Sequence, residues 1–300
     1  MGERSDSINR RDFLKGAAYA GLAATVGLPL EFAWADNEKP EAVKVVLIRD
    51  QYVIDADGNI SAEIMQSMID QAVATLYDVE DPAEAWKQIV KPDDIVGVKS
   101  NEWGPLPTPP ELEQAIKTRV LEVGVAEDKI SVDDRGIRSD DVFLNASALI
   151  NVRPLRTHHW AGIGGCLKNM IMFTPAPWEY HDDSCADMAK FWSLPSIKGK
   201  VRLNVLIVLT PLFHGIGAHH FDEKYTWRYN GLLVSLDPVA VDAVGLQLLK
   251  AKRLEYFGQE KRFTPPPHHV AYADIRHHLG VSDLTKINLV KLGWDEGVLI

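Results

Sequence analysis

Cysteine is nearly absent: Cys166 and Cys185 are the whole supply in 300 residues. Two thiols cannot hold a cysteine-ligated four-iron cluster, so this chain alone builds no iron–sulfur centre. They allow one disulfide or two small buried thiols, and a chain of this length builds a core without either. Long apolar runs are also missing. The uncharged stretch from Ala17 to Leu30 falls short of the roughly 20 residues that a membrane span needs. No lysine–arginine stripe interrupts the acidic balance, a net charge of -10, which argues against nucleic acid and anionic membrane surfaces as partners. Bases and acids balance within residues 1–35 (Arg4, Arg10, Arg11 and Lys15 against Glu3, Asp6, Asp12 and Glu31), so the negative charge belongs to residues 36–300. There is no His-Glu-x-x-His, and no Gly-Lys-Ser/Thr for a nucleotide phosphate. Gly162-x-Gly164-Gly165 has Leu167 where a dinucleotide fingerprint needs its third glycine.

What is present begins with an address. Asn9-Arg10-Arg11-Asp12-Phe13-Leu14-Lys15-Gly16 resembles the twin-arginine export motif, and Ala33-Trp34-Ala35 offers the small residues read by a signal peptidase. Cleavage after Ala35 is expected, leaving residues 36–300 as a single exported domain without a stable membrane anchor. The twin-arginine translocase is then a partner, and the periplasm or an equivalent exported compartment the destination.

The mature chain alternates strand and helix patterns. Val43–Arg49, Ile95–Lys99, Ile130–Asp133, Phe143–Val152, Leu203–Leu209, Gly231–Ser235 and Ile287–Leu292 read as strands, several with continuous apolar centres suited to a sheet covered on both faces. Ser61–Tyr77, Pro110–Val123 and Asp237–Lys250 carry helical spacing, with Ser61, Thr108 and Asp237 as expected caps. Cys166–Phe173, Ala186–Phe191 and Val270–Leu279 read as further helical pieces. The expected fold is a three-layer α/β arrangement: a mostly parallel or mixed sheet, helices on both faces, and ligands beyond the carboxyl ends of the strands.

Four short motifs then occur in order: Lys99-Ser100-Asn101 with Thr108-Pro109-Pro110, Arg156-Thr157-His158, Cys166-Leu167-Lys168-Asn169, and Asp237-Pro238-Val239-Ala240-Val241-Asp242. Together they resemble the family described as domain of unknown function 362, over most of residues 43–292. Many members of that family carry an attached ferredoxin-like module. This chain lacks it, so the resemblance implies no redox role here. Arg156 stands where the family has lysine, which keeps the charge but changes donor geometry and suits recognition.

The same motifs supply the candidate site. His158 is a proton-transfer candidate, with Lys99 and Lys168 stabilising negative charge and Asp242 an acid unexplained by its apolar neighbours. Asn101, Arg156, Asn169 and the turn glycines Gly162, Gly164 and Gly165 are candidates for holding a small anionic ligand, the glycines by bringing backbone N–H groups close. A packed turn and a structural ion pair of Asp242 with Lys99 or Lys168 would account for the same residues. His158 and His159 are expected to point to different sides. His214, His219 and His220, with Cys166, are the most ligand-like cluster, for zinc or iron. Trp178–Trp192 is rich in aromatics and would suit a periplasmic protein partner. Two function classes remain: an exported metal- or cofactor-dependent enzyme acting on a small anion, and a non-catalytic periplasmic binding or accessory protein for an anionic ligand or a redox complex.

Overall fold

The first strand, β1 (Val43–Arg49), is apolar through its centre and lies inside the sheet, covered on both faces. The computed structural model describes residues 42–215 and 221–300. The export motif, the cleavage position and the histidines His219 and His220 lie outside the described residues. After β1, Ser61 Oγ accepts from Ile64 N and starts helix α1 (Ala62–Leu76), and Asp81 caps α2 (Pro82–Ile89). Strand β2 (Val96–Lys99), helix α3 (Pro110–Val123) and strand β3 (Ile130–Asp133) come next. A helical turn, α4 (Asp141–Asn145), leads into β4 (Ala148–His158), which hairpins to β5 (Gly162–Gly164) and continues into α5 (Cys166–Asn169). Short 3-10 turns then reach β6 (Val201–Leu212) and β7 (Gly231–Ser235). Helix α6 (Pro238–Phe257), helix α7 (His268–Ile275) and β8 (Ile287–Gly293) complete the chain.

These strands form one eight-stranded sheet in the order β3-β2-β4-β6-β7-β1-β8, with β5 attached to β4. It is mixed but mostly parallel: β7 runs against both of its neighbours, β6 and β1, and β5 against β4. Alternate side chains feed two cores. Val96, Val98, Ile150 and Val152 pack with α1, α2 and α3 on one face, while Leu149, Leu155, Leu206 and Leu233 pack with α5, α6 and α7 on the other. This is the expected three-layer arrangement.

Three local readings change. Phe143 does not open a strand: Asp140 Oδ1 accepts from Val142 N and Phe143 N, capping α4, and the strand starts at Ala148. Phe143 instead packs against Gly97, where an added Cβ would lie 2.7 Å from its ring. That strand then runs on to His158 rather than ending at Val152, so Arg153 and Arg156 are strand residues. Thr108 does not cap α3, which begins after Pro109 with no side-chain cap. Its hydroxyl accepts from Asn101 N at 3.0 Å and its amide donates to Asn101 O at 2.8 Å, closing the loop after β2.

Candidate functional site

The sheet order creates a crevice. The chain leaves β2 through α3 on one face to reach β3, and leaves β4 through α5 on the other face to reach β6. Adjacent parallel strands whose onward connections diverge in this way open a gap at their carboxyl ends, where α/β sheets place ligands. Lys99 and Asn101 lie at or just beyond the end of β2, and Arg153, Arg156 and His158 lie on the part of β4 that runs past it.

A cavity of about 380 Å³ occupies the gap, lined by Asn101, Arg153, Arg156, His158, Lys168 and Asn169. Asp134 is its one carboxylate, and Trp103, Trp160 and His181 form much of the remaining wall. A larger groove of about 790 Å³ is walled mainly by prolines and aliphatic side chains, with Glu111, Glu223 and Arg228 its only ionisable groups. Size favours the groove. Chemistry favours the smaller cavity, because convergent ionisable groups and not volume make a reactive site.

Below the cavity Lys99 and Asn169 are fully paired, while Asn101 Oδ1 is not. Lys99 Nζ donates to Asp134, to Ser100 O at 2.6 Å and weakly to Asn169 Oδ1 at 3.5 Å. Burial lowers its ammonium to about 8 against the pull of Asp134. Burial works against the Asp134 carboxylate too, but Lys99 and the Glu102 N–H hold it below its usual range. Asn169 Nδ2 donates to Lys99 O (3.1 Å), Asn151 Oδ1 (2.9 Å) and Val152 O (3.0 Å), and its Oδ1 accepts from Asn101 Nδ2 (3.3 Å). Asn169 therefore straps β2 to β4, and Lys99 sits under the cavity rather than on its wall.

The glycines make room for buried charge. A Cβ on Gly164 would lie 2.8 Å from Arg153 Nη2, and one on Gly165 would lie 2.3 Å from Asp242 Oδ1. Gly162, at φ +75°, presses against the backbone of Pro265 and Pro267. The amides opening α5 are engaged by an internal anion: Asp242 accepts from Cys166 N at 2.7 Å and Leu167 N at 2.9 Å. Asp242 therefore lies beneath the turn and away from the cavity wall, and it makes no ion pair with Lys99 or Lys168. Burial raises its carboxyl to about 7 despite those two donors.

The wall itself is cationic and poorly paired. Arg156 is 4% exposed and stacks on Trp103, its Cζ 4.2 Å from the ring centroid, yet its Nε and Nη1 have no acceptor. Arg153 is equally buried, and its Nε also lacks one. Among the described residues neither guanidinium makes an ion pair. Burial pushes both below the ordinary arginine range, Arg156 further because Arg153 adds its repulsion. Arginine does not give up its proton in proteins, so the shift expresses charge held without a counterion. Sequence reasoning passed over Arg153 because its strand was expected to end one residue earlier.

A DUF362 domain is found at residues 120–247. That span matches the family model described as "Domain of unknown function (DUF362)", and residues 7–27 match the TAT (twin-arginine translocation) pathway signal sequence. The chain is exported by the twin-arginine pathway. No helix among the described residues is long and apolar enough to cross a membrane. Nothing among curated proteins or solved structures matches the chain. The DUF362 span contains Arg153, Arg156, His158, Lys168, Asn169 and Asp242; Lys99, Asn101 and the Thr108-Pro109-Pro110 segment precede it.

Further ionisable groups of the DUF362 domain, His158, Lys168 and His181 among them, face the cavity. His158 Nδ1 accepts from Trp160 N at 3.2 Å, which leaves the ring proton on Nε2. Burial, with Lys168 and Arg156 nearby, drives its pKa far down, so it is neutral and a donor. The His158 and His159 rings stack, centroids 4.6 Å apart, instead of splaying to opposite sides. Lys168 is 3% exposed. Its Nζ lies 3.0 Å from His181 Nε2 and 4.0 Å from Cys185 Sγ. Burial, with Arg153 and Arg156 adding repulsion, lowers it to about 8, and His181 falls to about 4 through burial and Lys168. Both lie on the cavity wall with His158.

Of the four expected metal ligands, only Cys166 and His214 fall among the described residues. Cys166 is buried in the apolar core and its thiol is pushed well up by burial. His214 packs edge-on against Tyr225 and Phe257, with Arg253 Nη1 3.1 Å from its Nδ1. Among the described residues no three His, Cys, Asp or Glu side chains are placed to hold a metal ion. Both cysteines are free. Within the aromatic segment, Phe191 and Trp192 are core residues, and Trp178 is exposed.

Proposed function

We propose that this exported DUF362 chain is an enzyme acting on a small anionic substrate, held by Arg153 and Arg156 in the cavity between β2 and β4. One observation carries the reading: two buried guanidiniums line one cavity, and Nε of both and Nη1 of Arg156 find no acceptor in the protein. A buried charge without a partner costs several kcal/mol, and a carboxylate, sulfate or phosphate oxygen would complete both groups in the geometry arginine favours. The contrast between this cationic cavity and a chain of net charge -10 supports selection of an anion from solution. The Lys168–His181 pair adds proton-transfer groups on the same wall, beside the neutral hydrogen-bond donor His158, which favours turnover over storage.

The test is titration of the mature protein with sulfate, phosphate, succinate and pyruvate, monitored by calorimetry. Saturable binding of at least one anion is expected, with affinity falling by about tenfold or more in Arg156→Met. If none of these anions binds, or if Arg156→Met binds as well as the parent, the reading is wrong.

A further inference from the structure

Two buried lysines flank the gap between β2 and β4, and their surroundings differ. Lys99 is locked in an ion pair with Asp134 beneath the cavity. Lys168 lines the cavity, and its polar neighbours are His181 Nε2 at 3.0 Å and Cys185 Sγ at 4.0 Å, neither of them an anion as the protein stands. Burial and the charges of Arg153 and Arg156 disfavour an ammonium at that place. An amine that is dry, faces a cavity, has a base within hydrogen-bond reach and stands beside other cations is placed to act as a nucleophile. The same two arginines that weaken the ammonium are suited to hold a carboxylate, which would bring an adjoining carbonyl to the amine.

We propose that Lys168 forms an imine with the carbonyl of a small 2-oxo acid whose carboxylate is held by Arg153 and Arg156. This rests on the anion reading and names the substrate class for it. The ammonium of Lys168 gives its proton to solvent, and the lone pair of the neutral amine attacks the carbonyl carbon as the C=O π pair moves to oxygen. A proton passes from nitrogen to that oxygen, giving a neutral carbinolamine. The hydroxyl then takes a proton from solvent, relayed through His181 Nε2, and leaves as water while the C=N bond forms, so one water is released and the product is a protonated imine. No oxidant, reductant or metal is required.

The groups facing Lys168 are Arg153, Arg156, His181 and Cys185, with His158 and His269 close enough to feel its charge. At pH 7 a lysine titrating at about 8 is neutral in roughly one molecule in ten, against a few in ten thousand for an ordinary lysine. The cavity, about 380 Å³, accommodates a molecule of this size.

The experiment is reductive trapping. The mature protein is incubated with pyruvate, reduced with sodium borohydride, and digested for peptide mass mapping. One adduct on the Lys168 peptide is expected, its yield rising with pH through about 8 and suppressed by excess sulfate. Lys168→Met and Lys168→Arg should lose it. Should both fail to fold, Arg156→Met decides, because it keeps the amine and should cut labelling by about tenfold or more. Absence of the Lys168 adduct, or labelling spread over surface lysines and unchanged in these variants, overturns the proposal. Calorimetry with pyruvate separates the two levels. Arg156-dependent binding without trapping refutes the imine and leaves the anion reading standing, while failure of the whole anion panel refutes both.

Discussion

Among the described residues four arginines are almost equally buried, and two of them differ sharply in surroundings from the other two. Arg49 (3% exposed) and Arg253 (4%) are surrounded by carbonyl oxygens. Arg49 donates to Tyr229 O and Glu296 O, each at 2.8 Å, and lies against the rings of Tyr229 and Trp294. Arg253 donates to Phe213 O, Lys261 O and Arg262 O at 2.8–3.0 Å. Arg153 and Arg156 (4% each) reach no such acceptors, although they are just as deep. Burial alone is therefore not the mark of a site. A guanidinium wrapped in carbonyls fastens loops that would otherwise leave their own carbonyls unpaired. A guanidinium buried beside a cavity without acceptors carries a standing cost, which a ligand can repay.

The largest expected effect lies on the satisfied side. Arg253→Met strands the carbonyls of Phe213, Lys261 and Arg262, and it should lower stability by about 3–5 kcal/mol in urea unfolding. Anion affinity of the folded protein should be unchanged. Next comes Asp242, the carboxylate that both closes the start of α5 and lies near Arg153. Asp242→Ala leaves two buried N–H groups unpaired and should cost about 2–4 kcal/mol of stability. It also removes part of the little compensation that Arg153 has, so any anion that binds should do so more tightly per remaining folded molecule, measurable by calorimetry below the melting range.

Arg156→Met inverts the pattern. Affinity for the preferred anion should fall by about 1.5–3 kcal/mol. Stability without ligand should stay level or rise by about 1 kcal/mol, because an uncompensated charge has been replaced by an apolar side chain of similar length. If urea unfolding shows Arg156→Met to be as damaging as Arg253→Met, the distinction between the two pairs of arginines collapses.

Much of this was legible in the residues, and the losses have physical reasons. Continuous apolar strands and capped helices gave the layers, since Ser61, Asp81 and Asp237 act through neighbours in sequence. Sheet order and the reversal of β7 are long-range, and no local pattern encodes them. Lys168, His158 and Asn169 were reached through short motifs; Arg153 was not, although two arginines within the buried run Arg153-Pro154-Leu155-Arg156 were a usable signal. The turn glycines were expected to present amides to a ligand. Their spacing cannot reveal that the close neighbours are Arg153 and Asp242, which approach from other parts of the fold. Asp134, Trp103 and His181 come from irregular loops without periodicity, so only the folded chain brings them to the cavity.

The smallest effect tests whether Lys168 belongs with the unsatisfied pair. Its folded pKa of about 8 lies below the ordinary lysine value near 10.4. Between those two pH values the unfolded chain holds more protons at this position than the folded one, so stability contributed here rises with pH across the window. Below about pH 8 both states are charged and the folded state bears the full penalty of burying the ammonium. Lys99 also titrates near 8 and adds its own rise, so the parent alone cannot assign the effect. The difference between the parent and Lys168→Met can, because Lys99 is common to both. That difference should move in favour of the parent by about 2 kcal/mol between pH 7.5 and 10 in the absence of anion. With a saturating anion the movement should vanish or reverse, since the bound charge favours the ammonium and its affinity declines as Lys168 loses its proton. A ligand-free difference that instead falls with rising pH would mean that Lys168 is stabilised as a cation by the protein itself, which would place it beside Arg253 rather than beside Arg156.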